Sequence, residues 1–430
     1  MLLYQMIEII LIFLQIVFLT SIIFYGTPTI TTYNEYQKDL TSILSVKSII
    51  LANLFLIFSA LSLQNYFLLF FLLIICVFFF VKEKQNLFLK LDLKFLYIVF
   101  LIFIISISFA SKLSFGWDTK FFWFMKVINF YQEESVFNLN KLPATDYPHL
   151  GSFIWAFFWK FPFDSYEYHG RIFYIFLYLI SIFSFFEILK INQLKRLIYS
   201  TLVIISTFSL ELISGNQEII IFSLSLLSAK FIYLIFTLPR GKSLNTYLYI
   251  LLLIFNFATW IKNEGLFIIG FMLLTLLFLA DLNKSHKKIL IFGSLLIVLL
   301  RFFSLKFLNT DLESFEFEET FSLNGLENLL EDIKIILFYF IFYLTQLPIM
   351  ALGLILLLYN LYRYKLDKLL LFIFVYFLLN VLFIFGAFIF TMENVEWQVR
   401  VGLKRVMFET SGFYLISIAY LINKIKKKND

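Results

Sequence analysis

Cysteine occurs once, at Cys76 inside an apolar run, so no intrachain disulfide can form and thiol usage reports no redox compartment. Histidine occurs three times, at His149, His169 and His286, too far apart in sequence to suggest a histidine-built metal site. Charge is scarce as well. Only 15% of the 430 residues are charged against 61% hydrophobic, with a mean hydropathy of +0.90, which is more apolar surface than a soluble core needs. The formal charge of +6 is spread over short loops between apolar runs, which argues for topology rather than for a nucleic-acid surface. No internal repeat of the kind common in transporters is evident.

What the chain has in abundance is apolar runs of roughly 17 to 25 residues, the length of a membrane-spanning helix. They predict an all-α polytopic membrane protein of about 12–13 transmembrane helices, one integrated domain over 1–430 with the lipid bilayer as partner. Leu2 to Phe24 lacks a basic start and a small-residue cleavage site, and reads as a retained helix. Ser48 to Val81 is about twice the length that one helix needs, and Gln64 and Asn65 in its middle suggest a hairpin. One long tilted helix is the alternative, and it would move the N-terminus to the other side. The 60 phenylalanines, with many Ile, Leu, Lys and Asn, match the bias of an AT-rich genome, so a Phe or Lys here carries less information than usual.

Lysine distribution sets the orientation. Lys82, Lys84, Lys90 and Lys94 hold one loop in the cytoplasm, followed by Lys190, Lys195 and Arg196, Arg240 and Lys242, Lys284, Lys287 and Lys288, Arg363, Lys365 and Lys368, and a cytoplasmic C-terminus from Lys424 to Lys428. The segment 112–170 then lies outside, with turns near Ser214 and Lys262, the acidic loop 309–332, and Thr391 to Arg405. Unusual chemistry gathers on that face. Within 112–170, Thr119 to Tyr131 and Gly151 to Lys160 are too short to span and read as helices lying in the interface.

The first outer loop carries the densest polar and aromatic sequence, FGWDTKFFWFMK from Phe115 to Lys126. Asp118, just past a helix end, suits a general base for an acceptor hydroxyl; it equally suits a helix N-cap before Thr119. Lys120 pairs with Asp118 or binds an anionic substrate group, and Trp123 shares its helix face at a spacing of three. Lys126 reads as an interfacial lysine reaching for headgroups. Asp146, Tyr147 and His149 surround Pro148 in a turn that suits sugar hydroxyls, or simply starts the next helix.

Lys262, Asn263 and Glu264 interrupt an apolar stretch at a second outer turn. Ionisable residues there are costly unless paired or facing a polar cavity, so Lys262 is a candidate phosphate ligand with Glu264 as its counter-ion. Arg400, Lys404 and Arg405 run against the positive-inside bias, and a planar guanidinium suits bidentate phosphate contact; interface anchoring is the plainer reading. Arg171 and Arg301 are weaker candidates for the same role. Asp311, Glu313, Glu316, Glu318 and Glu319 lack the ligand spacing of a calcium loop and read as a solvated run.

In order and orientation, WDTKFFWFMK (Trp117 to Lys126), DYP (Asp146 to Pro148), KNEG (Lys262 to Gly265) and the arginine-bearing segment from Trp397 to Arg405 resemble the bacterial polytopic glycosyltransferases of the GT-C fold. The resemblance covers Phe95 to Ile422. It implies inverting transfer of a sugar from a polyprenyl-phosphate donor to a lipid- or glycan-linked acceptor, on the outer face of the bacterial inner membrane, with Asp118 as base. No cofactor is required, and a divalent metal is compatible but not indicated. After Asp146 the sequence YPHLGSF lacks the second proline expected in close relatives. A transporter or flippase of lipid-linked glycans is the rival from another class, and it calls for ionisable groups near the bilayer midplane.

Overall fold

A helix that is apolar all round is stable only inside a bundle or against lipid. In the computed structural model the chain is built of helices alone among the described residues, which are 2–28, 39–62, 64–83, 92–111, 115–145, 147–164, 166–189, 191–209, 214–237, 243–308, 323–390 and 394–429. Eight of them are long and apolar enough to cross a membrane, and a ninth span results if one bent pair is counted as a single crossing. Asn65–Val81, Leu93–Ser108 and Asn263–Leu279 are apolar but shorter. The acidic loop residues from Asp311 to Glu319, and Asp146, lie outside the described residues.

The first four helices are α1 (Leu2–Tyr25), α2 (Leu40–Ala60), α3 (Asn65–Glu83) and α4 (Leu93–Ser111). The end of α2 at Ala60 and the start of α3 at Asn65 bear out the reading of Ser48 to Val81 as two helices. Asp39 caps α2 by accepting from the Thr41 and Ser42 amides, supplying the partners that the first turn lacks. A π segment, Thr119–Trp123, then leads into α5 (Phe124–Tyr131), followed by α6 (Leu150–Lys160) and α7 (Ile172–Phe186). Beyond these come α8 (Gln193–Thr207), α9 (Glu218–Thr237), α10 (Ser243–Ile261), α11 (Asn263–Leu279) and α12 (Lys284–Phe307). The last group is α13 (Leu323–Gln346), α14 (Pro348–Arg363), α15 (Lys368–Ile389), a second π segment Val399–Leu403, α16 (Lys404–Ser411) and α17 (Ile416–Asn429). Pro348, which has no amide hydrogen to continue the ladder, opens α14 where the pair bends by 102°.

Two polar clusters mark opposite ends of the bundle. At one end, Lys94 at the start of α4 pairs with Asp39 and, at 2.7 Å, with Glu187 after α7, and Glu187 takes Arg196 of α8 at 2.6 Å. Lys94 is therefore a buried structural cation and not a free loop charge, contrary to its use in the lysine count. At the other end Tyr168 donates to Glu8 of α1 at 2.6 Å. The start of α1 thus lies at the end that holds the 115–170 segment.

Within it, α6 is not a surface helix. Every residue of α6 from Leu150 to Phe158 is buried, and its Phe153, Phe157 and Phe158 rings lock onto Phe55 of α2 at centroid distances of 5.0–6.2 Å. The expectation of an interfacial helix over Gly151 to Lys160 fails for this reason: its apolar positions go all the way round and are met by other helices.

Candidate active site

Asp118 sits where two loops clasp. The Gly116 amide donates to Ser214 O at 3.2 Å, and Thr119 Oγ1 donates to Asn216 Oδ1 at 2.6 Å. Between them Gly215 has φ +93°, and a Cβ there would lie 2.5 Å from Thr119 Cγ2 and 2.7 Å from the Trp155 ring, so only glycine permits the clasp. Asp118 itself has helical dihedrals and makes no capping bond, which removes the N-cap reading. Its carboxylate is directed elsewhere.

Arg405 Nη2 lies 2.5 Å from Asp118 Oδ2 and 2.6 Å from Glu218 Oε1, and Arg405 Nε donates to the same Glu218 oxygen at 2.8 Å. Behind Glu218, Lys262 Nζ is ringed by Glu409 at 2.5 Å, Glu264 at 3.2 Å and Glu218 at 3.3 Å. Exposure is 26% at Arg405, 15% at Asp118 and 22% at Glu264, and falls to 5% at Glu218, 3% at Lys262 and 0% at Glu409. Burial works against the Lys262 ammonium, yet Glu218, Glu264 and Glu409 together hold its pKa well above the ordinary lysine value. Among the described residues, four carboxyl groups meet two cations, and Oε2 of Glu218, Glu264 and Glu409 has no hydrogen-bond partner.

The two residues at the mouth are placed by the same rare backbone device. One π segment begins immediately after Asp118, and the other ends one residue before Lys404 and Arg405. Such i→i+5 turns re-aim side chains within an otherwise regular helix and are frequent at functional sites. Beside Asp118, Trp117 is 62% exposed, its ring 4.7 Å from that of Phe121 and 5.6 Å from that of Phe122, which stacks on Tyr147 at 5.2 Å. This aromatic lip borders the carboxylate.

Other residues singled out from the sequence have different places. Trp123 is buried, with its ring edge-on to Tyr147 at 5.4 Å, and so supports the lip from behind. Lys126 does not reach outward: it is fully buried and donates to the carbonyls of Ala144 and Tyr147, both at 2.7 Å, fixing the turn. His149 is buried too, with Nε2 3.1 Å from Ser59 Oγ and its ring edge-on to Trp260. Burial, followed by the nearby Arg301 and Lys126 charges, pulls its pKa down to about 3, so it is neutral. Lys120 is exposed and makes no ion pair among the described residues, so Asp118 is matched by Arg405 instead.

Arg400 is 59% exposed; it pairs with Glu396 and donates to Tyr339 Oη at 2.7 Å, which ties it to α13 rather than to Asp118. Lys404 is half-buried without an ion pair among the described residues. Arg171 is paired with Glu167 at 2.8 Å, and Arg301 donates to Asn263 at 3.0 Å. Glu264 is a counter-ion of Lys262, as expected, but one of three.

Glu218 and Glu409 escaped the sequence reading. Each is a lone carboxylate next to or within an apolar helix, and that cost of burial was the available signal. Among the described residues no group of three or more His, Cys, Asp or Glu is arranged to hold a metal ion. No family model matches the chain, and it has no match among curated proteins or solved structures.

Proposed function

We propose that the chain is a membrane glycosyltransferase of the GT-C type, which moves a sugar from a polyprenyl-phosphate donor to an acceptor hydroxyl with inversion. Asp118 is the general base and Arg405 meets the donor phosphate. The observation that carries this reading is the 2.5 Å Asp118–Arg405 pair beside an exposed aromatic lip at one end of an apolar bundle. While Arg405 occupies the Asp118 carboxylate it blocks the approach of an acceptor hydroxyl, and a lipid phosphate that takes Arg405 would uncover it. The base is then uncovered as the donor binds. The acceptor O–H proton passes to Asp118, the acceptor oxygen bonds to the anomeric carbon, and the sugar–phosphate C–O bond breaks with its electron pair going to phosphate.

The bilayer holds the lipid tail, and thirteen crossings follow if the eight long helices, the bent pair as one, the three shorter helices and α8, which leads from the Glu187 end to the Ser214 end, all span. In keeping with the lysine pattern, the reaction is assigned to the non-cytoplasmic face. Purified protein in lipid nanodiscs, given polyprenyl-phosphate sugars and a lipid-linked glycan fraction, should form a new glycoside. Failure with every donor offered, in protein that binds none of them, would remove the proposal.

Transport of lipid-linked glycans has one specific observation in its favour. Lys230 is fully buried about 18 Å along α9 from Glu218 and, among the described residues, donates to the Ser42 and Ser184 hydroxyls, each at 2.7 Å. A buried lysine inside a spanning helix is what a transporter would need. The same lysine also ties α9 to α2 and α7, which an enzyme needs equally.

A further inference from the structure

The ion-paired cluster itself holds more carboxyl groups than cations. Asp118, Glu218, Glu264 and Glu409 stand against Arg405 and Lys262, and one carboxyl can carry a proton while carboxylates remain in excess. Binding a phosphate anion beside such a cluster is opposed by like-charge repulsion. Glu218 is the closest contributor: its Oε1 accepts from both Nε and Nη2 of Arg405, so it competes directly for the guanidinium that would hold the phosphate.

Resting on the glycosyl-transfer reading above, we propose that Glu218 is a positioning residue that makes the site release its phosphate product. The donor is a phosphodiester with a single negative charge. After the C–O bond breaks, the electron pair stays on the phosphate, and the product is a monoester that bears a second ionisable oxygen. A purely cationic site would grip that product more firmly than the donor and stall. Glu218, fixed on the Nε edge of Arg405 and backed by Lys262, sets how much of the guanidinium charge an incoming anion feels. Repulsion rises with the charge of the bound phosphate, so it weakens the product more than the donor. Asp118 then recovers Arg405, and the next acceptor meets a clamped base.

Two variants of the full-length protein in nanodiscs test this, with polyprenyl monophosphate as the probe and the corresponding polyprenol as the uncharged control. Glu218→Gln should bind the monophosphate about tenfold more tightly than wild type with polyprenol affinity unchanged, and steady-state turnover should fall while a single turnover stays fast. Glu264→Gln removes the same charge but reaches Arg405 only through Lys262, so it should shift monophosphate affinity in the same direction by a smaller factor; it decides the matter alone if Glu218→Gln does not fold. Unchanged or weaker monophosphate binding in the variants, against a wild type that prefers monophosphate over polyprenol, would overturn the role of Glu218 and leave the functional reading standing. A wild type that shows no such preference would overturn the functional reading itself.

Discussion

Arg405 approaches Asp118 at 2.5 Å across the mouth of the site while its Nε edge is held at 2.8 Å by Glu218. One guanidinium thus serves two carboxylates from distant parts of the chain, one partly open to solvent and one buried. Lysine in its place would keep a point charge and lose the fork. Arg405→Lys should weaken donor-phosphate binding by about 1–3 kcal/mol, read as a rise in donor Kd. Arg400→Lys, whose guanidinium is committed to Glu396 and Tyr339, should leave donor Kd near wild type. The reverse ranking would transfer the phosphate to Arg400.

Lys262 is the keystone of the buried part. Removing it leaves Glu409 and Glu218 without their shared cation, and breaking a buried pair typically costs about 3–5 kcal/mol. Lys262→Gln should therefore lower the unfolding midpoint in detergent markedly, with a loss of that order in unfolding free energy where unfolding is reversible. A midpoint equal to wild type would mean that the carboxylates accommodate the loss.

His149 gives a pH signature. With a folded pKa of about 3 against an ordinary value of 6.5, the unfolded chain binds a proton that the folded chain rejects between those limits. Its contribution to stability is thus complete above pH 6.5 and is lost progressively as the pH falls towards 3. The slope from this group is about 1.4 kcal/mol per pH unit. His149→Gln, measured by unfolding between neutral and mildly acidic pH, should flatten that dependence. An identical slope in the variant would assign it to other groups.

Much of the bundle was legible in the sequence because helix breaks need polar or charged residues. The break beside Gln64 and Asn65, the Lys262 turn and the turn near Ser214 were all foreseen on that basis, and Lys262 with Glu264 was paired correctly. The site's arrangement was less legible. Arg400 and Lys404 stand four apart, a spacing that shares one face of a regular helix, but the π segment Val399–Leu403 shifts the phase and leaves Arg400 against α13. Likewise, the clamp on Asp118 joins side chains from three distant stretches, and no local spacing encodes such a meeting. Full burial of His149, Trp123 and Lys126 arose the same way, since neighbouring helices cover side chains that their own sequence segments would leave in the open.

Topology follows from the two polar ends. Glu8 meets Tyr168 at the Asp118 end, whereas Lys424 pairs with Asp367 at 2.9 Å near the start of α15. In a Cys76→Ala background, single cysteines at Asn138 and Asn394 should both react with an impermeant thiol reagent in intact spheroplasts. A tag fused to the N-terminus should be accessible from that same side. Labelling of only one of the two cysteines would break this arrangement.

The most direct measurement is sugar transfer by Asp118→Asn, made on folded protein at wild-type expression level. The amide is nearly isosteric and can still accept from Arg405, but it has no useful basicity. Donor binding should persist while turnover falls by about a hundredfold or more. Transfer at a near wild-type rate would contradict the assignment of Asp118 as the base.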